Sequence, residues 1–499
     1  MTVIPRLSDA HKAFVCKHKS ALTVGLSFLL TLLFVALVFV VFIVPRAQSP
    51  FADTSPYAAL EATQGFLVGY YLAIAVPLLI AIPLVCWLIF FKKAKLHTVF
   101  LVAAILCGIP QSFVNTPNSW YDEETHYYNS VYYADLLSPG NPSPRVENNN
   151  LTWQRRAVDS REGTTIHDAG VNEFYYLSQH LFELNAQPDT YTAQSVPRMQ
   201  YPYQYAPQIV GVSIAHFFDL GQVPTYYLGR LFSFAFFVAC LYLIIKRAPF
   251  KTLFCLLGLV PLILGTAGSF SYDTFITSAI FVFTAYVLHL AFVKEKVGKR
   301  DVAILLISFA LFAPLKMIYF PLLFLILLIP RQKWRRPRTR TLALVGAACA
   351  GAFVMLVDAA GLIALASNMG NATSFNEQRN LETYNYGIML EHPFLFIKLM
   401  GMSILDNITG PLQGTRYLLI LGADMPLWTA IFIGVVLLKG TSTDLAENNH
   451  PVSLMQKRVI ACVCAVIYLL SIVAFIPYTE TGAATVQGLQ GRYYLPLFP

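Results

Sequence analysis

Residues 21–44 read ALTVGLSFLLTLLFVALVFVVFIV, a run without a single charge. An apolar helix of about 20 residues crosses a hydrocarbon core of roughly 30 Å. The run is too long for a signal-peptide core and lacks an A-x-A exit, so it reads as a first spanning helix. Comparable runs follow near 67–91, 98–115, 224–245, 252–268, 273–293, 302–315, 317–330, 341–365, 422–438 and 457–476. The expected fold is therefore an all-α integral membrane protein with about eleven transmembrane helices and a single polytopic domain over 1–499. The bulk composition agrees. The chain is 56% hydrophobic and only 12% charged, with a mean hydropathy of +0.57, against about 25% charged for a soluble domain.

The net charge of +8 gives no nucleic-acid footprint, because the basic residues sit in short loops at alternate ends of the apolar runs. Lys92, Lys93 and Lys95 form one such group, Lys294, Lys296, Lys299 and Arg300 another, and Arg331, Lys333, Arg335, Arg336, Arg338 and Arg340 a third. With the N-terminus cytoplasmic, these groups all fall inside, as the charge bias of membrane proteins requires. Two long polar segments then face outward, 116–223 and 366–421. Within the first, 206–220 (APQIVGVSIAHFFDL) is too short to span and reads as a helix at the outer membrane surface. Within the second, GIMLEHPFLFIKLMGMSIL reads as an interfacial amphipathic helix. The eight cysteines avoid the long polar segments, so no disulfide framework or zinc pattern is implied. The chain stops at YYLPLFP, where another apolar run begins, and truncation before further spans is expected.

Three groups of residues are able to carry chemistry. The first is Trp120-Tyr-Asp-Glu-Glu-Thr-His-Tyr-Tyr128, just after the third span. On a helix Asp122 and His126 share a face and Glu123 is turned away. A carboxylate there suits removal of a hydroxyl proton or, at Asp122 and Glu123, the holding of a divalent cation against a phosphate. The plainer alternative is a solvated acidic first turn. The second group runs from Arg198 through Tyr201 and Tyr205 to Gln208. It reads either as a platform for a sugar or lipid or as an aromatic belt at headgroup level. The third comprises charges at the outer ends of spans: Arg230 in YLGRLF, Asp273 in SFSYDTF, Lys316 in PLKMIYFP with Tyr319 beside it, and Arg492 in GRYYLP with Tyr493. Ionisable groups at that depth are costly unless paired or functional. Arg and Lys there suit a lipid phosphate, with snorkelling or structural ion pairing as the alternative.

Taken in order, D-E-x-x-H at 122–126, Y-x-P-Q at 205–208, YLGRL, SFSYD, K-x-x-Y-x-P and GRYYLP resemble a bacterial multi-pass membrane family, domain of unknown function 2142. The motifs extend from Asp122 to Pro496. That family is similar to the GT-C superfamily of membrane glycosyltransferases, which take a sugar from a polyprenyl-phosphate carrier. They often use an acidic residue of the first outer loop as base or metal ligand. Carried over, that position is Asp122 with Glu123 beside it; Mg or Mn is allowed as a cofactor, and no nucleotide is needed.

The resemblance implies a protein of the bacterial cytoplasmic membrane, with its active site facing outward. Its partners would be membrane lipid, a polyprenyl-phosphate-linked sugar and a glycan or other envelope acceptor. Asp122, Glu123 and His126 are the expected catalytic residues. Arg198, Tyr201, Tyr205, Gln208, Arg230, Asp273, Lys316, Tyr319, Arg492 and Tyr493 are the expected substrate contacts. Two rival readings stand beside this one: a transporter or flippase of lipid-linked glycans, and a non-catalytic scaffold for envelope assembly.

Overall fold

The structure, a computed structural model, describes residues 21–33, 36, 63–114, 123–137, 145–147, 150–156, 188–193, 201–367, 382–409, 434, 435, 437–444, 451–489, 493, 494 and 497. Asp122, Arg198 and Arg492 lie outside these, as does most of the expected span at 422–438. The described chain begins with α1 (Ala21–Leu33), α2 (Thr63–Phe90), α3 (Leu96–Val114) and α4 (Glu123–Leu137). A three-stranded antiparallel sheet follows, β1 (Arg145–Glu147), β2 (Asn150–Arg156) and β3 (Pro188–Ala193), in the order β1-β2-β3.

The helical class expected from the sequence holds, and the small sheet is an addition to it within the first long polar segment. Segment 150–156 holds two residues that suit a pleated strand, Thr152 and Trp153, and Trp153 pairs with Tyr191 across it. It lies in a stretch with no apolar run long enough to reveal it as structure.

Next come a short 3-10 turn (Pro202–Tyr205), α5 (Ala206–Phe217), α6 (Gln222–Arg247), α7 (Lys251–Gly258), α8 (Pro261–Ala267) and α9 (Asp273–Leu288). The run expected as one span at 252–268 is two short helices, because Pro261 lacks the N–H that would continue the first. The chain continues through α10 (Lys299–Phe312), a 3-10 helix (Met317–Leu328), α11 (Pro337–Ser367), α12 (Ile388–Glu391), α13 (Pro393–Thr409) and α14 (Leu454–Ala474). Among the described residues, four helices are long and apolar enough to cross a membrane: Leu96–Phe113, Val223–Arg247, Asp273–Val293 and Leu454–Tyr478.

The chain divides into two compact units. The first comprises Met1–Tyr242 and Leu264–Thr274; the second comprises Leu243–Ile263 and Phe275–Pro499. In the first unit α5 ends in a Schellman stop. The Leu220 N–H reaches the Ala215 carbonyl at 3.0 Å, the Asp219 N–H reaches His216 at 3.2 Å, and Asp219 takes the positive φ of 52° that such a stop needs. The chain then reverses into α6. The two helices touch backbone to backbone: a Cβ on Gly211 would lie 2.5 Å from the Leu228 carbonyl oxygen. This hairpin is buried against α4 by a cluster of Tyr127, Val131, Tyr132, Tyr133, Ile209, Val212, Tyr226 and Phe270.

In the second unit the expected amphipathic stretch forms α12 and α13. Leu399 and Ile388 pack on Ile472 and Ile476 at the end of α14, while Phe394 and Ile397 stay exposed. Ser453 and Gln456 close a reciprocal capping box at the start of α14. The Gln456 amide also donates to the Leu328 carbonyl at 2.9 Å, tying α14 to the 3-10 helix.

Candidate functional site

The polar centre of the first unit is built on Arg230. The residue sits on α6 and is fully buried. Its Nε donates to Glu123 Oε1 at 2.9 Å and its Nη2 to Glu123 Oε2 at 2.8 Å, the two-pronged match of guanidinium to carboxylate. Its Nη1 donates to the Ser112 carbonyl at 2.8 Å, one of the carbonyls left without a partner in the last turn of α3. The Tyr226 ring, one turn earlier on α6, faces the guanidinium at 4.9 Å. Glu123 is the first residue of α4, where the helix dipole favours a negative charge. One arginine therefore joins the C-terminal end of α3 to the N-terminal end of α4.

The turn between α8 and α9, the SFSYD motif, supplies a further contact. Ser269 Oγ accepts from the Ser271 N–H and Ser271 Oγ from the Asp273 N–H, each at 3.2 Å. These two hydroxyl-stitched turns aim the Phe270 N–H at Glu123 Oε1, 3.1 Å away. The Ser271 carbonyl accepts from Gln208 Nε2 at 3.2 Å, and the same amide donates to Ser233 Oγ at 3.1 Å. The turn fits this closely because two glycines make room. A Cβ on Gly268 would strike Ser112 Oγ, and one on Gly229 would strike the Phe270 ring.

Beside the ion pair lies a second group. His126 Nδ1 and Asn129 Nδ2, three residues apart on one face of α4, both reach the Tyr205 hydroxyl, at 3.0 and 3.2 Å. Burial pushes the Tyr205 phenol well above its ordinary range. The Asn129 hydrogen bond opposes that shift, and Tyr272, Tyr133 and Asp273 add to it. Tyr205 thus keeps its proton, and its hydroxyl and His126 Nδ1 share one hydrogen bond whose donor is set by the imidazole tautomer. The His126 ring also meets Tyr272 edge-on at 4.6 Å. Asp273 is buried at the start of α9. Tyr201 and Tyr203 stack edge to face at 5.9 Å, and burial raises Tyr203 to about 12.

The first unit therefore brings together Glu123, His126, Tyr205, Gln208, Arg230 and Asp273. Lys316, Tyr319 and Tyr493 meet in the second unit. The Lys316 ammonium lies 4.5 Å from the Tyr493 ring, and the buried Tyr319 donates its hydroxyl to the Tyr493 carbonyl at 2.9 Å. Lys316 and Tyr319 of the K-x-x-Y motif thus meet at Tyr493 of GRYYLP. Arg230 and Glu123 present no surface to a substrate, since both side chains have zero exposure.

Both Glu123 oxygens accept hydrogen bonds from Arg230. Among the described residues no group of three or more His, Cys, Asp or Glu side chains fits a metal ion. The expected Mg or Mn therefore gains no ligand set from Glu123.

Sequence reasoning missed Ser112, Asn129, Ser233, Phe270 and Tyr272. Phe270 and Tyr272 lay inside a motif already singled out, and Asn129 lay one helical turn beyond His126. Ser112 acts through its backbone carbonyl, which no side-chain pattern reports.

The described architecture and its buried polar centre define the class: a multi-pass helical membrane protein with ionisable groups held inside the helix assembly. Over residues 105–499 the chain matches the family described as predicted membrane protein (DUF2142), and it belongs to that family. No curated protein and no solved structure matches it.

Proposed function

We propose that this membrane protein is a glycosyltransferase of GT-C-like architecture. In this reading about eleven spans cross a bacterial cytoplasmic membrane with the N-terminus inside. A sugar moves from a polyprenyl phosphate to an envelope acceptor on the outer side. The observation that carries the reading is the clamp on Glu123. A buried arginine and a backbone amide hold Glu123, the first residue of α4 and the one that follows Asp122 in sequence, against the end of α3.

Asp122 takes the acceptor hydroxyl proton, and the oxygen attacks the anomeric carbon of the donor. The bond from that carbon to the phosphate oxygen breaks with inversion, and polyprenyl phosphate leaves. Glu123 and Arg230, sealed from water, are positioning residues. His126, Tyr205 and Asp273 supply further polar groups in the same unit as Glu123 and Arg230. By residue type alone, Arg198, Lys316 and Arg492 each carry a charge that suits a donor phosphate. A divalent cation would rest on Asp122 and the phosphate itself.

The test uses the full chain in lipid vesicles with a panel of polyprenyl-phosphate sugars. It reads both the released polyprenyl phosphate and the glycosylated acceptor. Asp122→Asn is expected to lower turnover by about 10²–10⁴-fold with an unchanged melting temperature. Unaltered turnover in Asp122→Asn overturns the assignment of the base. Movement of the intact lipid-linked sugar across the vesicle, with no transfer, establishes the transporter reading instead.

A further inference from the structure

The first unit carries an apolar tip that its own core leaves uncovered. Asp135 on α4 and His216 on α5 approach to 3.3 Å, so the C-terminal ends of these two helices lie side by side. The residues that follow are Leu136 and Leu137 on one helix, and Phe217 and Phe218 on and just after the other. Their exposures are 48%, 71%, 82% and 65%. The two phenylalanine rings touch only edge to face, at 5.1 Å. Immediately behind them Asp135 and His216 are buried, so the apolar character is confined to the outermost residues.

Chain continuity places this tip at a defined depth. After Phe218 the chain reverses within a few residues into α6, whose far end is marked by Lys246 and Arg247. About 20 helical residues cross a core of roughly 30 Å. Counting back from Lys246 sets the opposite hydrocarbon boundary near residue 226. Gln222, the first residue of α6, then stands about 6 Å beyond that boundary, inside the headgroup layer. The α5–α6 turn and the ends of α4 and α5 lie at this level. Among the described residues, Leu136, Leu137, Phe217 and Phe218 have no Lys or Arg beside them in sequence, and Asp219 is the charge that follows Phe218. The four exposed side chains are themselves apolar.

We propose that Leu136, Leu137, Phe217 and Phe218 form a wedge embedded in the bilayer interface of the leaflet opposite Lys246 and Arg247. It anchors α4 and α5 at a fixed depth. The occupant is the headgroup and glycerol layer of ordinary phospholipid. This holds whether or not the chain transfers a sugar.

The test places a nitroxide at Phe218→Cys, and separately at Leu137→Cys, in a full-length variant lacking its native cysteines. The protein is reconstituted in phosphatidylcholine nanodiscs, and collision rates with oxygen and with a water-soluble nickel complex are compared. Both labels are expected to favour oxygen more than a label at Asn385 does, at the level of the headgroup and glycerol layer. Added anionic lipid and high salt should leave that depth unchanged. A label open to the nickel complex as freely as one at the exposed Asn385 overturns the wedge. A label shielded from both reagents also overturns it, by showing protein there; dipolar broadening between copies then identifies a second copy of the chain.

Discussion

Arg230 is a buried charge whose removal and whose joint removal with its partner have opposite expectations. Arg230→Met leaves the Glu123 carboxylate inside the protein without its counter-ion. Breaking one side of such a pair costs about 3–5 kcal/mol, read as a large fall in melting temperature in detergent or lipid. The double variant Glu123→Gln with Arg230→Met should recover most of that loss, because desolvating both charges is itself expensive. A double variant no more stable than Arg230→Met alone would show that the fork does not carry the coupling. A milder titration belongs to Asp301, in the first turn of α10. Burial pushes its carboxyl up. The Gly298 N–H, the Lys294 ammonium and the Tyr286 hydroxyl outweigh that and hold it below the ordinary carboxylate range. Its contribution is complete above the ordinary value and is lost as pH falls through the depressed one. Asp301→Asn should flatten the acid limb of the stability curve, as followed by thermal melts between neutral and acid pH. Sequence singled out Arg230 and Glu123 separately, as a charge in a span and a charge after one. Their pairing spans 107 positions of sequence and rests on a fold no local pattern encodes.

Helix contacts in this protein are set by a few missing side chains. Gly211→Ala puts a methyl carbon 2.5 Å from a backbone oxygen of α6, which cannot swing aside. Overpacking of this kind typically costs about 1–3 kcal/mol. Gly401→Ala, in α13 with nothing within 4 Å of the added carbon, should instead gain up to about 1 kcal/mol from helix propensity. Opposite shifts in melting temperature would check the pair; equal shifts would contradict it. The long apolar runs were legible as helices because burial in lipid leaves few other options. The run at 317–330 looked short for a span because sequence counting assumes 1.5 Å per residue. As a 3-10 helix, Met317–Leu328 rises about 2 Å per residue and reaches roughly 24 Å. Its exposed Phe324 and Leu327 recur at the three-residue interval of that helix. The sheet at 145–193 was illegible for a different reason: short strands in a polar segment show neither period strongly.

At the scale of the chain, the charge bias predicts which loops face the cytoplasm. Thr190→Cys, in β3, should react with an impermeant maleimide added outside intact cells, and Gln332→Cys, in the basic loop, only after lysis. Both substitutions belong in a variant without native cysteines. Reversed labelling would invert the orientation, and labelling of both from outside would break the expected parity. The division into two units has its own outcome. The first unit closes its polar centre with 264–274, a stretch reached only after the chain has passed through 243–263 of the second. A fragment ending at Tyr242 would lack the Phe270 amide that braces Glu123. Recombination between relatives therefore has no single crossover that exchanges one unit whole. A viable hybrid must inherit the 264–274 turn from the same parent as α3, α4 and α6, so these distant stretches are expected to travel as one heritable block.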